Sequence, residues 1–283
     1  MIVVKVIGGL GNQMFQYAYG RALSIAYRTE LFLDISIYLN NQSNRSFDLD
    51  MFDLPDVQIG DSKDLDLSQW QYVITLNDFD FCYNKNPLSG IKNLRQLFRQ
   101  HKVIVVLEGY WQSERYFKNI KSILQSDFKM LLTLNEKSNL LYHKIINSQS
   151  VMINVRRGDY LSLLDYHGIV DVNYVDAAIS QVLKKAHTPV FYVFSDDIPW
   201  CRENLSHIPD VFFVDESYYT PNYDQYFFLM QACKYFILAN SSFSWWSAWL
   251  SNREGKHVIA PKRWFANTGI NTIDLIPKSW RKI

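Results

Sequence analysis

The stretch VMINVRRGDYL, residues 151–161, decides how the second half of this chain is interpreted. Its first residues are apolar or β-favouring, so they predict a buried strand that ends abruptly at Arg156, Arg157, Gly158 and Asp159. In an open α/β sheet, ligands bind beyond the carboxyl ends of the strands. Two guanidiniums there present planar forks of donors that suit phosphate oxygens, and Asp159 can orient an arginine or accept a proton. The alternative is an arginine pair on a solvated loop.

Composition limits the classes of protein to consider. The chain has 283 residues, of which 48% are hydrophobic, so it can form one large or two ordinary domains. Its net charge of +1 argues against a nucleic-acid partner, because no basic excess is available to neutralise phosphates along a duplex. The three cysteines, Cys82, Cys201 and Cys233, form no CxxC pair and predict neither a disulfide framework nor a cysteine zinc site.

The N-terminal sequence MIVVKVIGGLGNQ is typical of a short strand followed by a glycine turn. It has no basic leader region and no long apolar run, so it does not predict a signal peptide. No stretch of the chain reaches the roughly 18 to 20 apolar residues of a membrane-spanning helix. We therefore expect a cytoplasmic protein that is at most peripheral to the inner membrane.

The two halves of the chain differ in the clarity of their pattern. The first half predicts strands at 2–7, 31–34 and 103–107 and helices at 13–28, 114–124 and 136–147, with no clear pattern over 40–101. The second half alternates strands at 151–155, 190–194, 211–214, 236–238 and 257–259 with helices at 173–186, at 223–235 and through Trp249. This alternation predicts a parallel sheet with helices on both faces. We place the domain boundary near Gln149, giving domains 1–149 and 150–283.

Two more loops follow predicted strands of the second half. FSDD, residues 194–197, carries Asp196 and Asp197, whose carboxylates suit the paired N–H donors of a guanine edge; helix capping is the alternative. NSSFSWW, residues 240–246, places Asn240, Ser241 and Ser242 before a helix, where hydroxyls and amides bind anions or simply cap. A doubly wound sheet would bring both loops to the edge that carries the arginines.

The first half contributes one motif, GGLGNQMFQYA at residues 8–18. It does not have the spacing of the dinucleotide-binding pattern, and it lacks the lysine and serine of a P-loop. Gly9 and Gly11 would let backbone approach a ligand or a facing domain, and Asn12 and Gln13 offer amides to sugar hydroxyls.

The sequence predicts no metal site. The six histidines show no HExxH or close ligand spacing. Asp78-Phe79-Asp80 matches a bare DxD pattern, but it lies in the stretch without clear secondary structure.

Residues 8–264 resemble the bacterial α-1,2-fucosyltransferases of glycosyltransferase family 11. The resemblance rests on four motifs in this order and spacing: GGLGNQMFQYA, RRGDY, FSDD and NSSFSWWSAWL. The resemblance implies an α/β, GT-B-like fold of two Rossmann-like domains facing across a cleft. It also implies an inverting, metal-independent transfer of L-fucose from GDP-β-L-fucose, a co-substrate rather than a cofactor. The acceptor would be the 2-hydroxyl of a galactose at the end of an oligosaccharide or lipid-linked glycan, in O-antigen or capsule synthesis.

The resemblance also implies roles for individual residues. It assigns the diphosphate to Arg156 and Arg157, guanine to Asp197 and a phosphate to Ser241 and Ser242. We expect Asp196 and Asn240 to add further donor contacts. The acceptor-side loop would consist of Gly9, Gly11, Asn12 and Gln13. We expect Asp159 to act as the base, with Arg157 stabilising the leaving group and Asn12 orienting the hydroxyl; Asp159 bracing an arginine is the alternative. Another GDP-sugar transferase, or a non-catalytic sugar-nucleotide or glycan-binding protein, would share these loops.

The chain departs from the family pattern at one position. The usual residue two places before the first arginine is histidine, and here it is Asn154. An amide can replace a neutral imidazole in hydrogen bonding, but it cannot take up a proton near pH 7.

Overall fold

The computed structural model describes residues 1–79, 83 and 94–283, and the chain forms two compact units. Unit 1 comprises Met1–Lys129 and Asn271–Pro277, and unit 2 comprises Met130–Ile270 and Lys278–Ile283. The boundary therefore lies before residue 130 and not near Gln149 as predicted, and a short C-terminal segment returns to unit 1.

Packing explains both differences from the predicted boundary. Tyr142, on the helix that precedes residue 149, packs on Phe228 of unit 2 with ring centroids 5.2 Å apart. Asp274 of the returning segment accepts a hydrogen bond from Ser113 Oγ at 2.9 Å through its backbone carbonyl, and its carboxylate pairs with Arg115 at 2.6 Å. Neither set of contacts can be inferred from sequence spacing.

Unit 1 is built around a five-stranded parallel sheet with the order β3-β2-β1-β5-β4. Its strands are β1 (Ile2–Lys5), β2 (Leu31–Asp34), β3 (Val57–Gly60), β4 (Tyr72–Asp78) and β5 (Val103–Gly109). Its helices are α1 (Leu10–Tyr27), α2 (Ser36–Leu39), α3 (Leu94–Gln100) and α4 (Lys121–Asp127). β3 and β4 lie in the stretch without a clear sequence pattern, because both are partly exposed and carry few buried apolar residues.

Unit 2 is built around a six-stranded parallel sheet with the order β11-β10-β9-β6-β7-β8, which confirms the parallel sheet predicted for the second half. Its strands are β6 (Gln149–Val155), β7 (Pro189–Ser195), β8 (Val211–Val214), β9 (Tyr235–Ile237), β10 (His257–Ala260) and β11 (Arg281–Lys282). Its helices are α5 (Glu136–Ile146), α6 (Leu164–His167), α7 (Val172–Val182), α8 (Ile198–Leu205), α9 (Asp224–Gln231) and α10 (Ser242–Leu250).

The strand order creates a switch point at the centre of the unit 2 sheet. The chain runs from β6 outward to β7 and β8, then returns to place β9 on the opposite side of β6. Connections that diverge from neighbouring parallel strands leave a crevice at the carboxyl ends, which is where ligands bind in such sheets. The loops after β6 and β9 carry the arginine motif and the serine motif.

The side chains of β6 alternate between the two faces of the unit 2 sheet. Val151, Ile153 and Val155 belong to the buried cluster that includes residues of α7 and α8. Because side chains alternate along a strand, Asn154 lies on the other face, beside Phe194, which packs on Tyr226 of α9.

Two findings bear on the predicted class of protein. No helix in the described ranges 1–79 and 94–283 is both long and apolar enough to cross a bilayer. Cys201 and Cys233 are buried free thiols, and Cys82 lies outside the described residues.

Candidate functional site

The loops after β6, β7 and β9 meet at one edge of the unit 2 sheet, as predicted. The backbone N–H of Arg157 donates to Asp196 Oδ1 at 2.9 Å, which joins the first loop to the second. The hydroxyl of Tyr160 donates to the carbonyl oxygen of Asn240 at 3.1 Å, which joins the first loop to the third. These contacts place the arginines, the aspartates and the start of α10 in one cluster.

Arg156 is held between two carboxylates. Its Nη2 lies 2.6 Å from Asp159 Oδ1, and its Nη1 lies 2.9 Å from Asp196 Oδ2. Both terminal nitrogens of the guanidinium therefore have protein partners. Arg156 fixes the position of the loop, and the ion pair with Asp159 supports the expected alternative in which Asp159 braces an arginine.

Arg157 is held in a different way. Its Nε donates to Asp197 Oδ2 at 3.1 Å, and its Cζ lies 4.1 Å from the centroid of the Trp200 ring. Its side chain is 14% exposed, and its two terminal nitrogens have no partner among the described residues. The carboxylate and the indole fix the plane of the guanidinium while one edge of its fork stays open, which is the geometry that binds two phosphate oxygens at once.

The two aspartates of the FSDD loop already have protein donors on every oxygen. Asp196 accepts from the Arg157 backbone N–H and pairs with Arg156. Asp197 accepts from the Trp200 backbone N–H at 3.1 Å as the N-cap of α8, and it also holds Arg157. The capping alternative is therefore observed for Asp197, and guanine recognition by either carboxylate stays a prediction.

Gly158 allows the arginine loop to approach the FSDD loop. A Cβ at this position would lie 2.5 Å from Asp196 Oδ2, which is closer than two such atoms can approach. The ion pair between Arg156 and Asp196 thus depends on the missing side chain.

Two asparagines at this edge are buried. Asn154 is 7% exposed and donates from Nδ2 to the carbonyl oxygen of Phe194 at 3.2 Å, so it ties β6 to β7. Asn240 is 4% exposed, and its Nδ2 donates to the carbonyls of His167 at 2.8 Å and Trp264 at 3.0 Å. The Oδ1 atom of each is buried and has no partner among the described residues. The Asn240 amide N–H groups therefore hold loops in place, so they are not available for the predicted contact with the donor.

The serines lie where the sequence predicts them. Ser241 is the N-cap of α10, is 8% exposed and makes no side-chain capping bond, and Ser242 begins the helix. The N–H groups of the first turn of a helix have no intrahelical acceptor, so this terminus suits an anion.

His167 belongs to the same cluster and was missed from the sequence. Its ring stacks on Tyr160, with centroids 4.1 Å apart and planes inclined by 5°. Burial lowers the pKa of His167, with Asp159 opposing and Arg156 adding to that effect, so the imidazole is neutral at pH 7. The available sequence signal was its position shortly after the arginine loop and directly before a glycine.

The polar side chains of the glycine loop form hydrogen bonds within unit 1. Gln13 is fully buried; its Nε2 donates to the carbonyls of Gly8 at 2.9 Å and Ser46 at 2.7 Å, and its Oε1 accepts from the Asp48 N–H at 2.9 Å. The amide predicted to contact a sugar is therefore occupied within the unit. Asn12 Oδ1 accepts from Gln112 Nε2 at 2.7 Å.

The glycines of this loop have separate local roles. Gly8 has a φ of +79°, and a Cβ there would lie 2.7 Å from Asn12 Nδ2. Gly9 is the N-cap of α1, so the helix begins at Leu10 rather than at Gln13 as predicted, and Gly11 is buried in its first turn.

The residues of the DxD pattern are separated by the structure. Asp78 is 7% exposed and accepts a hydrogen bond from the Tyr116 hydroxyl at 2.5 Å, which gives it a structural partner. Asp80 lies outside the described residues. Across the described part of the chain, no three His, Cys, Asp or Glu side chains are grouped so as to hold a metal ion.

Comparison with known proteins identifies the family. The family model of glycosyl transferase family 11 matches residues 100–281, which include the arginine, FSDD and serine loops. The chain belongs to glycosyltransferase family 11. It is 34% identical to an α-1,2-colitosyltransferase of Escherichia coli, over 100% of this chain and 99% of that protein. It is 32% identical to the O-antigen biosynthesis glycosyltransferase WbnK of the same species, over 96% and 97% of the two chains.

A solved structure agrees with the fold. The α-1,6-fucosyltransferase NodZ, soaked with GDP-fucose, superposes with a TM-score of 0.53 over 88% of this chain and 92% of its own, at 15% identity. This confirms the predicted α/β, GT-B-like fold with two Rossmann-like domains, and the family assignment confirms the resemblance drawn from the motifs. The protein is a glycosyltransferase.

Proposed function

We propose that this glycosyltransferase moves L-fucose from GDP-β-L-fucose to the 2-hydroxyl of a galactose, with inversion at the anomeric carbon. The α-1,2 linkage is supported by the relative that transfers colitose in that linkage, and the GDP-fucose donor by the similar fold of NodZ. The galactose acceptor follows from the motif resemblance. The relative WbnK supports a role in O-antigen assembly. The lipid-linked acceptor and the location at the cytoplasmic face of the inner membrane follow from the motif resemblance alone.

The open fork of Arg157 is the observation that carries this proposal. Cleavage of the bond between sugar and diphosphate leaves negative charge on the departing phosphate. Preorganised donors stabilise such charge most, because they need no rearrangement as it develops. Asp197 and Trp200 hold the guanidinium in place before the donor arrives, so both of its terminal nitrogens can face the diphosphate.

The charge balance of the cluster points to directed hydrogen bonds rather than bulk charge. Arg156 and Arg157 face three carboxylates, those of Asp159, Asp196 and Asp197, so two positive charges meet three negative ones. The cluster is not a cationic patch, and a phosphate must bind through the aimed N–H groups of Arg157 and of the start of α10.

We propose that these groups act without a metal ion. The test is activity in excess EDTA, where we expect most of the turnover to persist. Loss of activity that Mg²⁺ or Mn²⁺ restores would contradict this part of the proposal.

Colitose is a second candidate for the transferred sugar, favoured by the identity to the colitosyltransferase over the whole chain. Colitose lacks one ring hydroxyl of fucose, so both donors would place the same diphosphate on Arg157. In this proposal the arginine, FSDD and serine loops contact the nucleotide side of the donor, so they do not distinguish the two sugars.

A turnover assay separates these functions. GDP-fucose and GDP-colitose are each supplied with a panel of galactosides, and the product linkage is determined. We expect fucose transfer to the 2-position of galactose. Preference for GDP-colitose would replace the donor, and binding of GDP without turnover of any pair would identify a non-catalytic binding protein.

A further inference from the structure

We propose that His167 accepts the proton of the attacking acceptor hydroxyl. This inference rests on the proposed transfer reaction and assigns a base within the same site. It is motivated by the position of His167 beside the arginine loop, by its unused ring nitrogens and by the contacts that already hold Asp159 and Asn154.

The position of the imidazole is fixed from several sides. Its ring lies flat on Tyr160, whose hydroxyl is bonded to the Asn240 carbonyl, and Phe265 lies 6.0 Å from it by ring centroids. The Asn240 side chain donates to the backbone carbonyl of His167 at 2.8 Å. A base must be held in place by groups that do not occupy its reactive atoms, and these contacts meet that condition.

The ring nitrogens are available. Neither forms a hydrogen bond with any residue of the described chain, although the ring is only partly exposed. A histidine that only packs needs no nitrogen, but one that is held in a polar cluster with both nitrogens unused can accept a proton or donate one.

The charged and titratable groups around His167 favour its neutral form at pH 7. Asp159 and Arg156 face it from the loop after β6, and Tyr160 and Tyr166 contact its ring. From the segment after β10 the neighbour is Phe265, which carries no charge. Burial lowers the pKa of His167, so the imidazole starts the reaction without a proton and can accept one.

The other two residues are less suited to this role. Asp159 is bound to Arg156 at 2.6 Å, and taking up a proton would weaken that ion pair and release the loop. Asn154, at the position where the family has histidine, has no group that titrates near neutral pH, and it is tied to β7. Asp196 and Asp197 are likewise bound to Arg156 and Arg157. His167 is therefore the titratable residue of the cluster whose accepting atoms form no hydrogen bond with the described residues.

The reaction balances with His167 in this role. The acceptor oxygen forms a bond to the anomeric carbon, and the bond from that carbon to the diphosphate oxygen breaks. Its electron pair leaves on GDP, where Arg157 stabilises it. The hydroxyl proton passes to a ring nitrogen of His167 and then to solvent when the products leave.

Three variants test the assignment. His167→Gln keeps a polar side chain without a titrating group, and His167→Phe keeps the ring on Tyr160 without nitrogens. His207→Gln is the control, because His207 is an exposed histidine paired with Asp176 on the surface. We expect both changes at 167 to lower kcat on the order of 100-fold with little change in the KM for GDP-fucose, and the control to match the wild type.

The pH profile adds a readout that a packing role would not change. Wild-type kcat should fall at low pH as His167 takes up a proton, and this acidic limb should vanish from the residual activity of His167→Gln. Near-wild-type kcat in His167→Gln, or an unchanged acidic limb, would overturn the assignment while fucose transfer by the wild type stands. Absence of transfer by the wild type would instead overturn the proposed function. If His167→Phe alone is inactive, the ring nitrogens serve hydrogen bonding only and the base assignment fails.

Discussion

The glycine loop of unit 1 and the arginine loop of unit 2 are both strand-to-helix connections with polar side chains, yet they use them differently. In the first loop, the Gln13 side-chain amide is hydrogen-bonded to backbone groups of its own unit. In the second, the carboxylates of Asp196 and Asp197 hold the arginines and leave the terminal nitrogens of Arg157 open. A motif therefore contains side chains that hold the loop in place as well as side chains available to a ligand. The hydrogen-bond partners of each side chain distinguish the two kinds.

The same distinction separates two adjacent arginines. Both terminal nitrogens of Arg156 are bound to carboxylates, whereas Arg157 is held only through Nε and through the face of its guanidinium. Arg156 supports the loop, and Arg157 is the arginine that we propose to bind the diphosphate.

The largest expected effect is on stability and tests whether Gln13 holds the glycine loop in place. Gln13→Ala should lower the free energy of unfolding by about 3 kcal/mol, because it leaves the Asp48 N–H without its acceptor and the Ser46 carbonyl without its donor. The Gly8 carbonyl keeps the hydrogen bond from the Tyr38 hydroxyl. Denaturant unfolding measures this change. Unchanged stability with a raised KM for the acceptor would instead assign Gln13 to sugar binding.

The next prediction concerns Gly158, where the arginine loop approaches the FSDD loop of unit 2. Gly158→Ala would place a methyl group against Asp196 Oδ2 and disturb its pairing with Arg156. We expect a loss of about 2 kcal/mol in kcat/KM with GDP-fucose. Gly9→Ala is a matched control in the other loop, because a Cβ there meets only the Arg45 side chain at 3.9 Å. Equal effects of the two changes would remove the contrast between the loops.

The smallest expected effect is at Asn154. Asn154→Ala removes one neutral hydrogen bond between β6 and β7 and should weaken GDP binding by roughly 0.5 to 2 kcal/mol. Calorimetric titration with GDP measures this change. Asn40→Ala is the control for loss of an amide, because the exposed Asn40 side chain donates to the Ser36 carbonyl in unit 1. A loss of more than about 100-fold in kcat would contradict the purely positional role given to Asn154.

The parts of the fold that the sequence predicts are those with continuous burial. β6, β7 and β9 are almost wholly buried, so their apolar runs and the loops that follow them could be located from the sequence. β3 and β4 are partly exposed and gave no such signal. The parallel sheet then brought the arginine, FSDD and serine loops together as a consequence of topology.

The roles within the site were less predictable. Arg156 and Arg157 are identical neighbours in the sequence, and only their partners distinguish them. Arg156 pairs with Asp159 and Asp196, whereas Arg157 is held by Asp197 and Trp200. His167 carries no ligand spacing, so its stack on Tyr160 depends on a local fold that periodicity does not reveal. Capping by Asp197 and bracing by Asp159 likewise became visible only through contacts, the cap on α8 and the ion pair with Arg156, while guanine binding and base catalysis by these residues stay predictions.

Binding of GDP to Arg157→Lys and Arg156→Lys tests the central claim most directly, since lysine keeps the charge at either position but lacks the planar fork. If Arg157 binds the diphosphate through its open edge, as we propose, Arg157→Lys should weaken GDP binding by at least about 2 kcal/mol, measured by calorimetry. Arg156→Lys should weaken it by less than half of that, since Arg156 acts through the loop. Equal losses of GDP affinity, or a greater loss for Arg156→Lys, would contradict the account in which Arg156 supports the loop and Arg157 binds the diphosphate.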